Sequence, residues 1–367
     1  MQSRFCCRFL FFLTCLLFFP LLVSAQQAQQ EEDDPFAKMR DAIFNTGVVR
    51  DATPALFRPR YLSVSDASLS MEDTEPVFLA PFFPDGIMRI YPQRIMLWHE
   101  VVNDYFDNTN ELPVAITYCP ITGSLAAYNL HSTKRKLSLG VSGELLNDNS
   151  ILYDHFSGSL WPQLTGQAID GPFKGRILPR LPVIWTTWGK AKSLYSNGMV
   201  LSRTTGYRRS YGKDPYGNYS VPDSYYDDLN IFYPVMSLDK RLPPKTRMVC
   251  VEFDGLSVAV NKAEVKKEGA VNFSMGITPM LAAYDPLLDT VRIFGRHLEK
   301  GNITLNFSWS DDGLVDNETR TVWNNEGLGI EGTYRGTQLT PFITVDSMWF
   351  AWAAFYPQTR IVPGKEF

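Results

Sequence analysis

The residue types best suited to chemistry lie in two short stretches of the chain, which read WHEVVND and TYCPITGS. The first stretch contributes His99, Glu100 and Asp104, and the second contributes Cys119. A thiol acts as a nucleophile or a metal ligand when a neighbouring base takes up its proton, and histidine and carboxylates are its usual partners. Cys119 also precedes a proline at a predicted tight turn, whose amides could stabilise a thiolate. We therefore predict a thiol- or metal-dependent site with these four residues as catalytic residues.

Further polar residues are candidates for contacting a ligand. The segment 206–233, the Tyr-rich segment, is long for a plain connection and contains seven tyrosines, so we expect a lid or a groove wall. An alternative function is that of a non-catalytic, extracytoplasmic binding or scaffold protein, which would use this segment and the tryptophans as a surface for a glycan, a peptide or another partner. The sequence identifies neither a metal nor a cofactor. The candidate substrate-binding residues are Asn103, Tyr118, Thr122, Ser124, Tyr211 and Tyr216.

A hairpin and a helix are the elements expected to position the candidate residues. The runs PVAITY and SLAAYNL flank residues 120–123 and alternate as strands do, which predicts a hairpin with Cys119 at its turn. Apolar spacing over residues 94–103 predicts a helix whose last part is the stretch from His99 to Asp104.

The chain contains two sets of internal matches. Residues 121–128 read ITGSLAAY and residues 277–284 read ITPMLAAY, with six of eight positions identical. Residues 166–178 (GQAIDGPFKGRIL) match residues 327–339 (GLGIEGTYRGTQL) through recurring glycines. Collinear matches indicate a duplicated unit. Under this alignment Cys119 falls on a methionine, so only the first copy holds the candidate chemistry.

These patterns predict an α+β fold, mostly antiparallel β with short helices and an internal pseudo-twofold duplication. The predicted parts are a signal peptide (1–25), a leader and N-terminal extension (26–75), a first copy with the candidate site (76–203), a Tyr-rich connecting segment (204–247) and a second, degenerate copy (248–363).

Composition and the N-terminus indicate an exported protein. Arginines precede an apolar run that ends in a small-residue cleavage site after Ala25, and no later run is long enough to span a bilayer. We therefore expect a periplasmic or extracellular location. The net charge of −4 over 367 residues disfavours a nucleic-acid partner. The mature chain would keep Cys119 and Cys250, which allow one disulfide or two free thiols.

The motifs WHEVVND, LPVAITYCPITGS, YGKDPYGNY and WFAWAAFYPQTRIV together resemble the DUF3179 family, a domain of unknown function. The resemblance covers nearly the whole mature chain from about residue 76. Many members of the family have a second cysteine where this chain has Thr122, so the resemblance implies a single thiol here. A dithiol redox mechanism needs two neighbouring thiols and is therefore not expected.

Overall fold

The computed structural model describes residues 34–106, 112–133, 135–217, 222–227 and 229–364. The predicted signal peptide lies outside the described residues, and so does Tyr219. The described chain divides into two compact units, with the boundary between Ile43 and Phe44. In the first unit, helix α1 (Ala37–Asp41) is preceded by Asp34, which pairs with Arg40 at 2.6 Å.

The first half of the larger unit consists of short strands with three short helices. In chain order they are β1 (Phe44–Asn45), β2 (Leu56–Phe57), β3 (Tyr61–Ser63), α2 (Val64–Ser68), β4 (Pro76–Ala80), β5 (Arg89–Pro92), α3 (Gln93–Met96), β6 (Val101–Tyr105), β7 (Pro113–Cys119), β8 (Ser124–Asn129), a 3₁₀ turn (Leu130–Thr133), β9 (Leu139–Leu146), β10 (Asn149–Asp154), β11 (Leu160–Pro162), β12 (Arg180–Leu181), β13 (Ile184–Thr187), α4 (Trp188–Leu194) and β14 (Met199–Leu201).

The second half follows with the same mixture of elements. They are β15 (Arg247–Phe253), β16 (Leu256–Asn261), α5 (Lys262–Glu268), β17 (Ala270–Met275), β18 (Thr278–Asp285), β19 (Thr290–Gly295), β20 (His297–Leu298), β21 (Ile303–Thr304), β22 (Phe307–Ser310), β23 (Gly313–Asp316), β24 (Val322–Trp323), β25 (Gly329–Glu331), β26 (Thr340–Pro341), β27 (Val345–Met348), α6 (Trp349–Phe355) and β28 (Arg360–Val362). Most neighbouring strands pair antiparallel, which confirms the predicted α+β class.

One helix prediction is wrong, and the correction concerns the candidate site. The helix predicted over 94–103 stops after one turn, because α3 ends at Met96. The chain then turns through His99 and Glu100 into β6, which pairs with β7. The β-branched residues Val101 and Val102 are buried on opposite faces of the sheet, which fits a strand better than a helix. The predicted hairpin is confirmed as β7 and β8.

The candidate hairpin lies in a nine-stranded sheet that contains strands from both halves. Its main order is β2-β6-β7-β8-β27-β15-β16-β28, and β12 pairs with β8. Aromatic side chains pack on one side of β7, where Tyr118 lies 4.8 Å from Phe78 and 5.5 Å from Trp185 between ring centroids. Such large buried rings contribute much of the apolar area that stabilises a fold. The end of β7 is therefore held in a rigid core.

The order of strand pairing in the first half recurs in the second. The hairpin β4–β5 is flanked by antiparallel β13 and parallel β14, and the hairpin β15–β16 by antiparallel β27 and parallel β28. The series β6-β7-β8-β12 likewise has the counterpart β17-β18-β19-β26. Each series begins after a short helix, α3 or α5.

This recurrence of strand order differs from the residue correspondence predicted from the sequence. The match of ITGSLAAY to ITPMLAAY pairs β8 with β18, yet β8 is the third strand of its series and β18 is the second strand of the other. In the observed order β7 corresponds to β18, and the turn Cys119-Pro120 corresponds to Asp285-Pro286. The second half therefore places a carboxylate, and not Met275, at the position of the thiol.

Candidate functional site

Cys119 lies at the end of β7, where the chain turns into β8. It pairs with Ser124 across the hairpin, and Gly123 completes the turn at φ +55°. The hydroxyl and the backbone amide of Thr122 both act to lower the pKa of the thiol through hydrogen bonding. Cys119 is fully buried. The turn predicted from the sequence thus surrounds the thiol with hydrogen-bond donors.

Glu100 occupies a backbone position that favours glycine. Its φ is +57°, and its carbonyl accepts the Tyr118 N–H at 2.8 Å. The corresponding residue of the second half is Gly269, at φ +78°, whose carbonyl accepts the Tyr284 N–H, also at 2.8 Å. The left-handed conformation costs a residue with a side chain about 1–2 kcal/mol. The first half therefore carries a carboxyl group where the backbone alone would favour glycine.

Ser150 connects this carboxyl to the thiol. Its Oγ lies 2.6 Å from Glu100 Oε2 and 3.3 Å from Cys119 Sγ. A hydroxyl carries one proton, so it donates to one of these groups and can accept from the other. Glu100, Ser150 and Cys119, together called the Cys119 site below, therefore form a continuous path for a proton.

Burial sets the protonation of both ends of this path. It raises the pKa of the Glu100 carboxyl to about 7, against the opposing effect of the Ser150 hydrogen bond. It also raises the pKa of the Cys119 thiol, and the neighbouring Glu100 raises that pKa further. The hydrogen bonds from Ser150 and Thr122 act in the opposite direction. At neutral pH the thiol is therefore protonated, while Glu100 is divided between its two forms.

A cavity of about 160 Å³ opens onto the Cys119 site. Glu100 and Ser150 line it together with Ile121, Tyr216 and Tyr233. The described residues that line it include no lysine, arginine or histidine. A ligand in this cavity meets the carboxyl and the hydroxyl first, because the thiol lies behind Ser150.

Behind the thiol lies a buried network of polar side chains. Asn149 Nδ2 donates to Thr122 Oγ1 at 2.9 Å, to Ser124 Oγ at 3.0 Å and to Gln163 Oε1 at 3.0 Å. Gln163 Nε2 donates in turn to Thr117 Oγ1 at 3.0 Å. Buried polar groups that are satisfied in this way fix one arrangement of a core. The network therefore positions Thr122, a candidate ligand contact, against the thiol and away from the cavity.

His99 is not joined to the Cys119 site by any hydrogen bond of its ring. Nδ1 lies 2.7 Å from the Pro54 carbonyl, and Nε2 lies 2.6 Å from the Tyr211 hydroxyl. A carbonyl only accepts, so Nδ1 carries the proton and Nε2 accepts from Tyr211. Burial, with a smaller contribution from Arg209, lowers the pKa of His99 and favours this neutral form. The histidine anchors the Tyr-rich segment.

The other candidates from the first stretch lie apart from the thiol. Asn103 exchanges hydrogen bonds with the backbone of Leu139, at 2.9 and 2.8 Å. The Asp104 carboxylate accepts the Tyr61 hydroxyl and borders a different cavity. Burial raises the pKa of Asp104. Tyr118 is a core residue whose hydroxyl accepts from Gln93 at 2.7 Å. Glu100 is therefore the one predicted acid that the structure brings to Cys119.

The Tyr-rich segment packs over the β7–β8 turn. The Tyr225 hydroxyl donates to the Ile121 carbonyl at 2.7 Å, and Tyr211 and Tyr225 are buried, whereas Tyr207 is exposed. Tyr216 lines the cavity of the Cys119 site. The described tyrosines of the segment therefore form a cover more than an open groove.

Sequence reasoning missed Ser150, the residue that joins the acid to the thiol. It lies on β10, next to an irregularity in the β9–β10 register. Serine is common in strands and turns alike, so its type gave no signal. An alignment of the two halves by strand order sets Glu100 against Gly269 and would have drawn attention to Glu100. The sequence match aligned β8 with β18 instead, so it did not show this difference.

Cys119 and Cys250 are both free and buried. In strand order, Cys250 of β15 takes the position that Leu79 has in β4. Cys250 pairs with the first residue of β27, and Leu79 pairs with the first residue of β13.

Among the described residues, no group of three or more histidine, cysteine or acidic side chains is gathered to hold a metal ion. In the same part of the chain, no helix has the length and hydropathy to cross a membrane.

Comparison with known proteins identifies one family that matches the chain. No curated protein and no solved structure matches the chain. A family described as "Protein of unknown function (DUF3179)" matches residues 50–359. This range is nearly the whole chain and includes Glu100, Cys119 and Ser150. As its motifs predict, the chain belongs to the DUF3179 family.

Proposed function

We propose that this protein carries a thiol-dependent site in which Cys119 is the nucleophile, Ser150 transfers its proton and Glu100 accepts it. The observation that carries the proposal is the position of Ser150 Oγ, 2.6 Å from Glu100 Oε2 and 3.3 Å from Cys119 Sγ. A carboxyl with a pKa of about 7 is well suited to accept a proton at neutral pH. Without such an acceptor, a buried neutral thiol is a poor nucleophile.

The proposed step is attack of the thiol on an electrophilic carbon of a small ligand. A sulfur–carbon bond forms and the leaving group departs with its electron pair. The thiol proton passes to Ser150 Oγ as the hydroxyl proton passes to Glu100 Oε2. Because Cys119 is fully buried, attack requires Ser150 or the Tyr-rich segment to move.

Alkylation by iodoacetamide tests this proposal, since it forms the sulfur–carbon bond and releases iodide. Cys250 is an internal reference, because it is equally buried and no hydroxyl bridges it to an acid in the described hydrogen bonds. We expect Cys119 to be alkylated at least tenfold faster than Cys250 at pH 7.5, measured by peptide mass spectrometry. We expect Ser150→Ala to lower the alkylation rate of Cys119 by about a hundredfold.

The matched control is Ser142→Ala, on the neighbouring strand. Ser142 donates to the Ile151 carbonyl at 2.7 Å and does not contact the thiol. It should leave the rate at Cys119 unchanged. Equal rates at Cys119 and Cys250 in the wild-type protein would contradict the proposal. They would favour the second candidate function, non-catalytic binding by the Tyr-rich segment, which Tyr216 and Tyr233 support because both line the cavity.

We infer in addition that residues 76–203 and 248–363 derive from a duplication, with residues 204–247 as their connection. The recurring pairing order supports this inference. So does a shared contact: Trp161 Nε1 donates to Asp154 Oδ2 and Trp323 Nε1 donates to Asp316 Oδ2, each at 3.0 Å. Trp161→Phe and Trp323→Phe should therefore destabilise the protein by similar amounts in urea unfolding. Destabilisation by only one of the two substitutions would contradict the equivalence of Trp161 and Trp323.

Export remains part of the proposal, and its support is the sequence of residues 1–25. N-terminal sequencing of the protein isolated from its source tests it. A mature N-terminus at Gln26 is expected, and a chain that retains Met1 would contradict cleavage.

A further inference from the structure

Two cavities share the Arg58–Pro59 segment as part of their walls, away from the Cys119 site. One has a volume of about 570 Å³ and the other of about 300 Å³, and both residues line both cavities. None of their lining residues borders the cavity at Glu100 and Ser150. Volumes of this size are typical of sites for small organic ligands.

The smaller cavity has the chemistry of an anion site. Arg58 and Arg60 line it together with the hydroxyl-bearing residues Ser202, Thr204 and Thr205. Among the described residues that line it there is no aspartate or glutamate. Both arginines are exposed, and neither side chain has an ion-pair partner in the described part of the chain. Two guanidinium groups are therefore available to an anion, for which their planar donors are well suited.

The larger cavity offers aromatic surface, one arginine that is paired with an acid, and the carboxyl group of Asp104. Tyr61, Phe83 and Phe106 line it. Arg89 is neutralised by Asp85 at 2.6 Å and lies 4.7 Å above the Phe83 ring. The Asp104 carboxylate, which borders the larger cavity only, accepts the Tyr61 hydroxyl and the Tyr105 amide. The free positive charge is thus concentrated at Arg58, which lines both cavities.

We infer that the larger cavity binds a small aromatic anion, with the anionic group at Arg58, the arginine that both cavities share, and the ring against Tyr61, Phe83 and Phe106. The anion can be a carboxylate or a phosphate, since both accept hydrogen bonds from guanidinium groups. This site is independent of the thiol proposed above.

Isothermal titration with four probes tests the inference on the full chain. Phenyl phosphate and benzoate combine a ring with an anion, inorganic phosphate lacks the ring, and benzylamine reverses the charge. We expect saturable binding of at least one aromatic anion, tenfold or more tighter than inorganic phosphate, and no binding of benzylamine. The tighter of phenyl phosphate and benzoate identifies the anionic group.

Substitution at Arg58 provides the specific test. Arg58 has φ +51°, so Arg58→Gly removes the guanidinium group without straining the backbone. It should raise the dissociation constant about tenfold. Arg320→Gly is the matched control, because Arg320 has φ +59°, is exposed and borders neither cavity. Binding unchanged in Arg58→Gly, equal loss in Arg320→Gly, or no binding of either aromatic anion at millimolar concentration would overturn the inference.

Discussion

Replacing Glu100 by glycine is predicted to stabilise the protein while removing the proton acceptor of the Cys119 site. Glu100 has φ +57°, and Gly269 holds the corresponding position in the second half. Relief of the left-handed conformation contributes about 1 kcal/mol of the gain. Glu100→Ala is the control, because alanine removes the carboxyl but keeps the backbone cost. The glycine variant should therefore exceed the alanine variant by about 1 kcal/mol in unfolding free energy at every pH.

The second part of the gain depends on pH. The pKa of Glu100 is raised from 4.5 to about 7 in the folded state, so the folded state binds its proton more tightly than the unfolded state. Unfolding free energy contributed by this group therefore falls as pH rises from about 4.5 to about 7, by up to roughly 3 kcal/mol. Both variants lack this loss, so their advantage over the wild-type protein should be larger at pH 8 than at pH 5.

Urea unfolding at pH 5 and pH 8 measures both effects. The glycine variant should also show a melting temperature about 2 °C above that of the alanine variant. Equal stability of the two variants would refute backbone strain at Glu100. The unfolding free energy of the wild-type protein should fall more between pH 5 and pH 8 than that of either variant. If it falls by the same amount in all three proteins, the raised pKa belongs to another group.

Three further outcomes follow from other contacts. Burial also raises the pKa of Asp148 to about 7, so Asp148→Asn should remove a separate part of the stability lost between pH 4 and pH 7, measured by urea unfolding. Asn103→Ala and Asn272→Ala should each cost about 2 kcal/mol, because each asparagine exchanges two hydrogen bonds with the backbone of a neighbouring strand. Cys250→Ala should cost about 1 kcal/mol and leave the alkylation rate of Cys119 unchanged, measured by unfolding and by peptide mass spectrometry.

The hairpin and the fold class could be predicted from local sequence. Local sequence could not show that the helix predicted over residues 94–103 is wrong. Strand alternation and the turn residues 120–123 specify β7 and β8 through local rules. The run that includes Val101 and Val102 also fits helical spacing, and only pairing with β7 decides in favour of a strand. Pairing is a tertiary interaction and leaves no local pattern.

The acid of the candidate site could be predicted, whereas its connection to the thiol could not. Glu100 and His99 are adjacent in sequence, yet they make separate contacts, with Ser150 and with Tyr211 respectively. Residue type alone favoured histidine as the partner of Cys119, because histidine is the commoner base at neutral pH. Ser150 became visible only when β10 was placed beside the β7–β8 turn.

The pH dependence of Cys119 alkylation tests the central proposal most directly. If Glu100 accepts the thiol proton through Ser150, the rate with iodoacetamide should rise with a midpoint near pH 7 and then level off, because the carboxyl must be ionised to act as a base. In Glu100→Gln the rise should move above pH 9, where the thiol ionises without assistance. A wild-type profile that rises only above pH 9, or a midpoint near pH 7 that persists in Glu100→Gln, would contradict the proton path.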